Sequence, residues 1–305
     1  MFGRRNRVSL LPHIREKVHG FNPNAAQVLG WEILKLGVDK QWIKSEGEDV
    51  IVSVIDTGCD LNHKDIRDNL IPGKNFLSKN ASPQDDNGHG SHVAGTIAAQ
   101  NNGLGMVGVA PKAKIMPVKA LDRKGEGNLK NIIDAIYWST DNKADFITMS
   151  LGSPSDATEL KLAIDYANNR GTTVFAAAGN SGKDVEIMFP ARYKNVIAIG
   201  AVDENLNRTS FTCSGEALDF LAPGHNIFSL APNNGYAIMS GTSMSNPYAV
   251  GCAALLLAYD KKHHNYDLRD HNRYRSILST MTIQIKQSQY KNKKYQGYGI
   301  IKIEI

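Results

Sequence analysis

Short apolar, β-branched runs alternate with longer runs of helical spacing over most of this 305-residue chain. Val50 to Ile55, Ile115 to Ala120, Phe146 to Met149, Thr173 to Ala177 and Val196 to Val202 are apolar nearly throughout, as strands covered on both faces must be. Between them, His92 to Gln100, Leu129 to Ser139 and Glu159 to Asn169 carry apolar residues at helical intervals. A further apolar stretch, Ala249 to Tyr259, reads as a buried helix. The alternation predicts an α/β fold: a doubly wound, mostly parallel sheet with helices on both faces, in three layers. Ligands bind such sheets at the carboxyl ends of the strands. Asp56 directly follows one strand, and Ser150 and Gly179-Asn180 follow two others. Three chemically marked positions therefore converge on one edge.

Composition narrows the class further. A hydrophobic content of 42% with 21% charged residues excludes a disordered chain. Lys+Arg 35 against Asp+Glu 30 leaves a net charge of +5, with both signs interspersed, which gives no ground for a nucleic-acid partner. The basic run Lys286 to Lys294, with Tyr290 and Tyr295, reads as a solvated segment. Cys59, Cys213 and Cys252 cannot all pair within the chain and lack zinc-ligand spacing, which suits a reducing compartment. Cys59 and Cys252 read as small buried hydrophobes. The N-terminus is basic (Arg4, Arg5, Arg7), but Pro12, His13, Arg15, Glu16 and Lys17 interrupt it before a signal-length apolar core. No run reaches the ~18–20 apolar residues of a membrane helix. These features predict a soluble, cytoplasmic protein without a membrane partner.

Three stretches carry the chemistry: Asp56-Thr57-Gly58-Cys59-Asp60, His89-Gly90-Ser91-His92-Val93-Ala94-Gly95-Thr96 and Gly241-Thr242-Ser243-Met244-Ser245. A serine hydroxyl is a poor nucleophile until a neighbouring base takes its proton. His89 is the candidate base, and Asp56 the carboxylate that orients its ring and stabilises its cation. Ser243 precedes the apolar helix, with Pro247 expected in the first helical turn, where a missing N–H costs nothing. That helix start aims backbone N–H groups at a developing oxyanion. Asn180, ending the run from Ala176, is the candidate side-chain donor to the same oxyanion. Singly, each motif has a plainer reading: a strand-end cap, a loop, or a metal-binding His89-x-x-His92. Together and in the order Asp, His, Ser they point to one triad, in an order that differs between the folds that carry it.

On these motifs the chain resembles the subtilisin-family serine endopeptidases, from about Ala25 to Gly297-Tyr298-Gly299. The resemblance implies a subtilisin-like domain over 25–305, preceded by a short extension over 1–24. It implies hydrolysis of extended or unfolded polypeptide through an acyl-enzyme on Ser243, with Asp56, His89 and Asn180 in the roles above. Ser150-Leu151-Gly152 and Ala177-Ala178-Gly179 resemble the walls of the primary specificity pocket. Gly125-Glu126-Gly127 resembles the edge strand that pairs with substrate backbone, and Leu129 either helps form an outer pocket or is simply buried. Phe189-Pro190-Ala191 resembles a segment with a cis proline. Ser153 departs from the family's glycine and is expected to narrow or polarise the pocket rim. Tyr248 stands where histidine is common, and Ser181 where an acidic residue is frequent, which removes a partner for basic P1 side chains.

The family also implies structural calcium and no organic cofactor. Asp65, the Asn102 side chain and the carbonyls of Gln100, Leu104 and Met106 match its calcium loop; taken alone, Asn101-Asn102-Gly103 is just a turn. Intracellular subtilisins share the Asp-Thr-Gly-Cys-Asp motif and carry a short extension with Leu-Ile-Pro-Tyr, which Leu10-Leu11-Pro12-His13 partly matches. In that subfamily the segment crosses the cleft, and its proline misplaces the scissile bond; the plain alternative here is a disordered tail. The subfamily also implies a homodimer. Two other functions stand beside broad endopeptidase activity: processing of one precursor, and a non-catalytic peptide-binding module.

Overall fold

The central sheet has nine strands, in the spatial order Thr282–Ile283, Ile300–Ile301, Phe220–Pro223, Ile197–Val202, Thr173–Ala177, Phe146–Met149, Ile51–Asp56, Lys114–Lys119, Lys74–Asn75. All pairings are parallel except that between the first two. In this computed structural model residues 7–18, 21–24, 26–263 and 271–305 are described. The basic Arg4 and Arg5, and Ala25, lie outside them. The five strands expected from sequence are all present, because β-branched runs such as Ile51–Asp56 pack on both faces and tolerate no polar face.

Among the described residues the α-helices of more than four residues are α1 (Trp31–Leu36), α2 (His89–Ala98), α3 (Leu129–Asp141), α4 (Thr158–Asn169), α5 (Thr242–His263) and α6 (His271–Thr280). Helices α2 and α5 pack against each other and the sheet, and α3 and α4 form a second such pair, giving the three layers. Helix α5 is buried on all sides from Thr242 to Ala258, so it shows no amphipathic stripe.

Two boundaries differ from the sequence reading, and both matter. Helix α2 begins at His89 itself and not at His92. Gly88, at φ 105, supplies the left-handed turn before it. Pro247 lies in the second turn of α5, since the helix begins at Thr242. It therefore leaves the carbonyl of Ser243 without its helical donor. The Ser150 hydroxyl donates to that carbonyl at 3.0 Å, replacing the lost hydrogen bond.

Two smaller sheets involve the extension. Strand Arg7–Leu10 lies antiparallel between Glu126–Asn128 and Leu151–Gly152. Strand Ile14–Lys17 pairs antiparallel with Gly235–Ser240, which forms a hairpin with Ile227–Ala231. Among the described residues no helix is long and apolar enough to cross a membrane.

Candidate active site

The strand ending in Asp56 and the start of α2 meet at the carboxyl edge of the sheet. His89 Nδ1 lies 2.9 Å from both Asp56 oxygens, and both side chains are fully buried. The Thr57 N–H also donates to Asp56 Oδ1, at 2.7 Å. A Cβ on Gly90 would strike the Gly58 carbonyl, so glycine there permits the close approach of helix and strand end.

Asp85 holds this junction, and nothing in the sequence had marked it. Its buried carboxylate accepts from Thr57 Oγ1, the N–H groups of Asn87 and Gly88, and the N–H and hydroxyl of Ser91, at 2.6 to 2.9 Å. Thr57 Oγ1 in turn accepts from the Gly90 N–H at 3.0 Å. A carboxylate at a helix N-terminus is well placed for the unpaired N–H groups there. Beside it, buried Lys119 donates to the carbonyls of Thr57 and Leu121 and to Asp86.

Asn180 is fixed in orientation by Thr242. The Thr242 N–H and hydroxyl both donate to Asn180 Oδ1 at 2.8 Å, which turns Nδ2 into the cleft. That nitrogen donates to the carbonyl of Pro12 at 2.6 Å. Ser243 Oγ donates to the Ser150 carbonyl at 3.3 Å, and His89 Nε2 has no hydrogen-bond partner. The serine–histidine hydrogen bond of a working triad is therefore not made in this conformation.

In this conformation the extension lies along the cleft. Ser9 pairs with Gly152 and Leu10 with Leu151, so Leu11 falls opposite Ser150. On the other side Val8 pairs with Gly127, and the Leu10 N–H donates to the Gly125 carbonyl at 2.8 Å. The Leu11 side chain is buried. The carbonyl on Asn180 is that of Pro12. The Leu11 carbonyl instead bonds His13 Nδ1 at 3.0 Å, and the His13 ring packs on His89 with centroids 4.9 Å apart. Burial pushes the His13 imidazole below its usual range, so the neutral ring is favoured beside His89.

The remaining predicted residues are placed as follows. Glu126 and Gly127 lie in the edge strand, while Leu129 opens α3 half-buried against the main core. The backbone between Phe189 and Pro190 is cis. The Ser153 backbone bridges Phe189, and its hydroxyl accepts from the Ser155 N–H at 3.2 Å. Among the described residues no cluster of His, Cys, Asp or Glu surrounds His92; burial pushes its imidazole down to about 3, and Nε2 bonds the Ile227 carbonyl at 3.0 Å. All three cysteines are free and buried.

The residues expected to form a calcium loop gather around Gln27 and the loop after α2. The carbonyls of Gln100, Leu104 and Met106 lie 2.7, 2.7 and 3.0 Å from Gln27 Nε2, and Asn102 Oδ1 lies at 3.4 Å. Asp65 Oδ2 accepts from the Met106 N–H and the Tyr236 hydroxyl, while its buried Oδ1 has no partner. Burial raises the Asp65 carboxyl to about 6. Gln27 was missed because a single glutamine 73 residues before Gln100 carries no local pattern. Among the described residues no group of three or more His, Cys, Asp or Glu forms a metal cluster, so this cage is built mainly from carbonyls.

The fold and the site together define a serine endopeptidase. Residues 47–299 match the subtilase family, and the chain belongs to it. It is 40% identical over 283 residues to subtilisin DY of Bacillus licheniformis, covering 92% of this chain and 98% of that protein. It is 44% identical over 225 residues to subtilisin Savinase of Lederbergia lenta, covering 74% and 82%. An alkaline protease of Shouchella clausii is also 44% identical over 225 residues, 74% of this chain and 58% of its own length.

Proposed function

We propose that this endopeptidase is held in check by its own N-terminal segment. Ser243 is the nucleophile, His89 the general base and then acid, Asp56 the group that orients His89, and Asn180 the oxyanion donor. Substrate backbone enters as an extended strand between residues 125–127 and 150–152, a β-augmentation mode that suits unfolded polypeptide. The observation that carries the reading is the mismatch in the cleft: Leu11 sits in register, yet Pro12 supplies the carbonyl on Asn180. Attack at the Leu11 carbonyl lacks its oxyanion donor, and the nucleophile is turned to Ser150. The extension is thus bound as substrate and not processed as one. Broad activity is favoured over a single precursor, because pairing is largely through backbone.

Hydrolysis of an unfolded protein, with calcium present, tests this with wild type, Ser243→Ala and a chain lacking residues 1–19. Wild type is expected to be slow, the truncated chain faster, and the alanine variant inert. Activity in Ser243→Ala would remove the nucleophile assignment, and no gain on truncation would remove the inhibitory role.

Calcium fits the Gln27–Asp65 cage by the chemistry of its donors. Gln27 (through its amide oxygen, once turned), Asp65, Asn102 and the three carbonyls would hold it. Bound there, the ion would neutralise Asp65 and pin the loop after α2, with no step in catalysis. The reading extends to a cytoplasmic homodimer acting on polypeptides, without nucleic-acid or membrane partners. The three unpaired cysteines support the reducing location.

A further inference from the structure

Arg208 is a buried cation that, among the described residues, has no carboxylate partner. Its guanidinium donates to the carbonyls of Thr212 and Cys213 at 2.6 and 3.1 Å and to the Ser214 hydroxyl at 2.7 Å. Through Nε it also donates to the Tyr295 carbonyl at 2.9 Å. The rings of Tyr290 and Tyr295 lie 5.4 and 5.6 Å from it. Backbone contacts add to these: Gln287 Oε1 accepts from the Arg208 N–H at 2.7 Å, and the Gly215 N–H donates to the Lys294 carbonyl at 2.9 Å. The run Lys286 to Lys294, read from sequence as a solvated segment, thus docks on residues 208–215.

The loop gripped in this way carries the chain on either side of Asn180. The Cys213 N–H donates to the Gly179 carbonyl at 3.0 Å. Beyond Asn180, the Ser181 N–H donates to Cys213 Sγ at 3.4 Å, and the Gly182 N–H to the Phe211 carbonyl at 2.8 Å. Thr242 sets the rotation of the Asn180 amide, while residues 211–213 set where the backbone beneath it lies. From this chain of contacts we propose that Arg208 is a positioning residue for the oxyanion site: it gathers the 212–214 loop, which in turn holds Asn180 in place. The inference rests on the role given to Asn180 above. Three acceptors of one loop converge on a planar fork, a geometry that a lysine ammonium cannot reproduce. The tyrosine faces and carbonyls supply the negative potential that a carboxylate would, and leave the fork free to point at the loop.

The test is a double-mutant cycle in the full-length chain: wild type, Arg208→Lys, Asn180→Ala and the two together. It reads kcat and KM for a peptide anilide at concentrations that saturate each form, where a competing extension no longer enters kcat. Arg208→Lys is expected to lower kcat by about 10-fold without raising KM, less than the ~10²-fold that a misplacement of about 1 Å can cost. In the Asn180→Ala chain the same substitution is expected to cost nothing further. A general loss of folded protein would instead repeat in both backgrounds. Should Arg208→Lys fail to fold, Ser214→Ala, which removes one acceptor and no charge, takes its place in the cycle. An undiminished kcat, or a loss repeated in full without Asn180, overturns the proposal. Equal kcat in wild type and Asn180→Ala overturns the oxyanion role itself, and the proposal falls with it.

Discussion

Two buried aspartates, Asp219 and Asp65, sit among backbone carbonyls at opposite ends of the problem of burying charge. Beside Asp219, Arg275 on α6 donates to the carbonyls of Lys194 and Val196 at 2.9 and 2.7 Å, and pairs with the carboxylate at 2.8 Å. The chain itself supplies the cation that those oxygens demand. Burial still raises the Asp219 carboxyl, but Arg275 and the Ala198 N–H pull it back. Around Asp65 the oxygens gather on the neutral amide of Gln27, one carboxylate oxygen has no donor, and burial pushes the group up to about 6. The same oxygen-rich surroundings are thus balanced from within in one place and depend, on the proposed reading, on a recruited ion in the other.

Removing the built-in cation should have the largest effect. Arg275→Ala is expected to cost about 3–5 kcal/mol in urea unfolding, since it strands a mostly buried carboxylate. That loss should be the same with calcium or with a chelator; a calcium-dependent loss would merge the two sites. Next comes the recruited ion. Calcium at about 100 times its Kd should stabilise the wild type by about 2.7 kcal/mol. The increment should vanish in Asp65→Asn, and thermal unfolding with and without chelator reads it.

Per pH unit the smallest expected effect is at a carboxylate that has neither device. Glu32 is buried, its Oε2 has no partner, and burial raises it to about 7 from 4.5. A raised folded-state value means that stability is full below about pH 4.5 and is lost as pH rises toward about 7. The slope should be about 1.4 kcal/mol per pH unit. Glu32→Gln should flatten that profile, and a parallel slope in the variant would show that Glu32 ionises freely.

Much of this molecule was legible because its determinants are local. The apolar runs around Ile51–Asp56 and Thr173–Ala177 have one solution, and Asp56, His89, Asn180 and Ser243 each lie at or within three residues of the end of an element. What sequence hid is mostly pairwise. Asp85 looks like any acid in a loop until five donors are seen to meet on it. Thr242 belongs to a recognised motif, yet its task is to aim Asn180, on a segment far away in the chain. Pro247 was placed in the wrong turn because the start of α5 is polar and carries no periodic signal. The contact between the Leu11 carbonyl and His13 Nδ1 is one that no residue pattern encodes.

The pairing of the extension on both sides of the cleft also bears on solubility. Residues 126–128, 151–152 and 235–240 are strand edges whose unpaired N–H and C=O groups would template any extended chain. Covering them makes residues 7–17 an edge guard as well as, on the proposed reading, a plug. A chain stripped of that segment should therefore be the more prone to stick to its own unfolded copies, so that on the same reading storage life and catalytic readiness trade against each other.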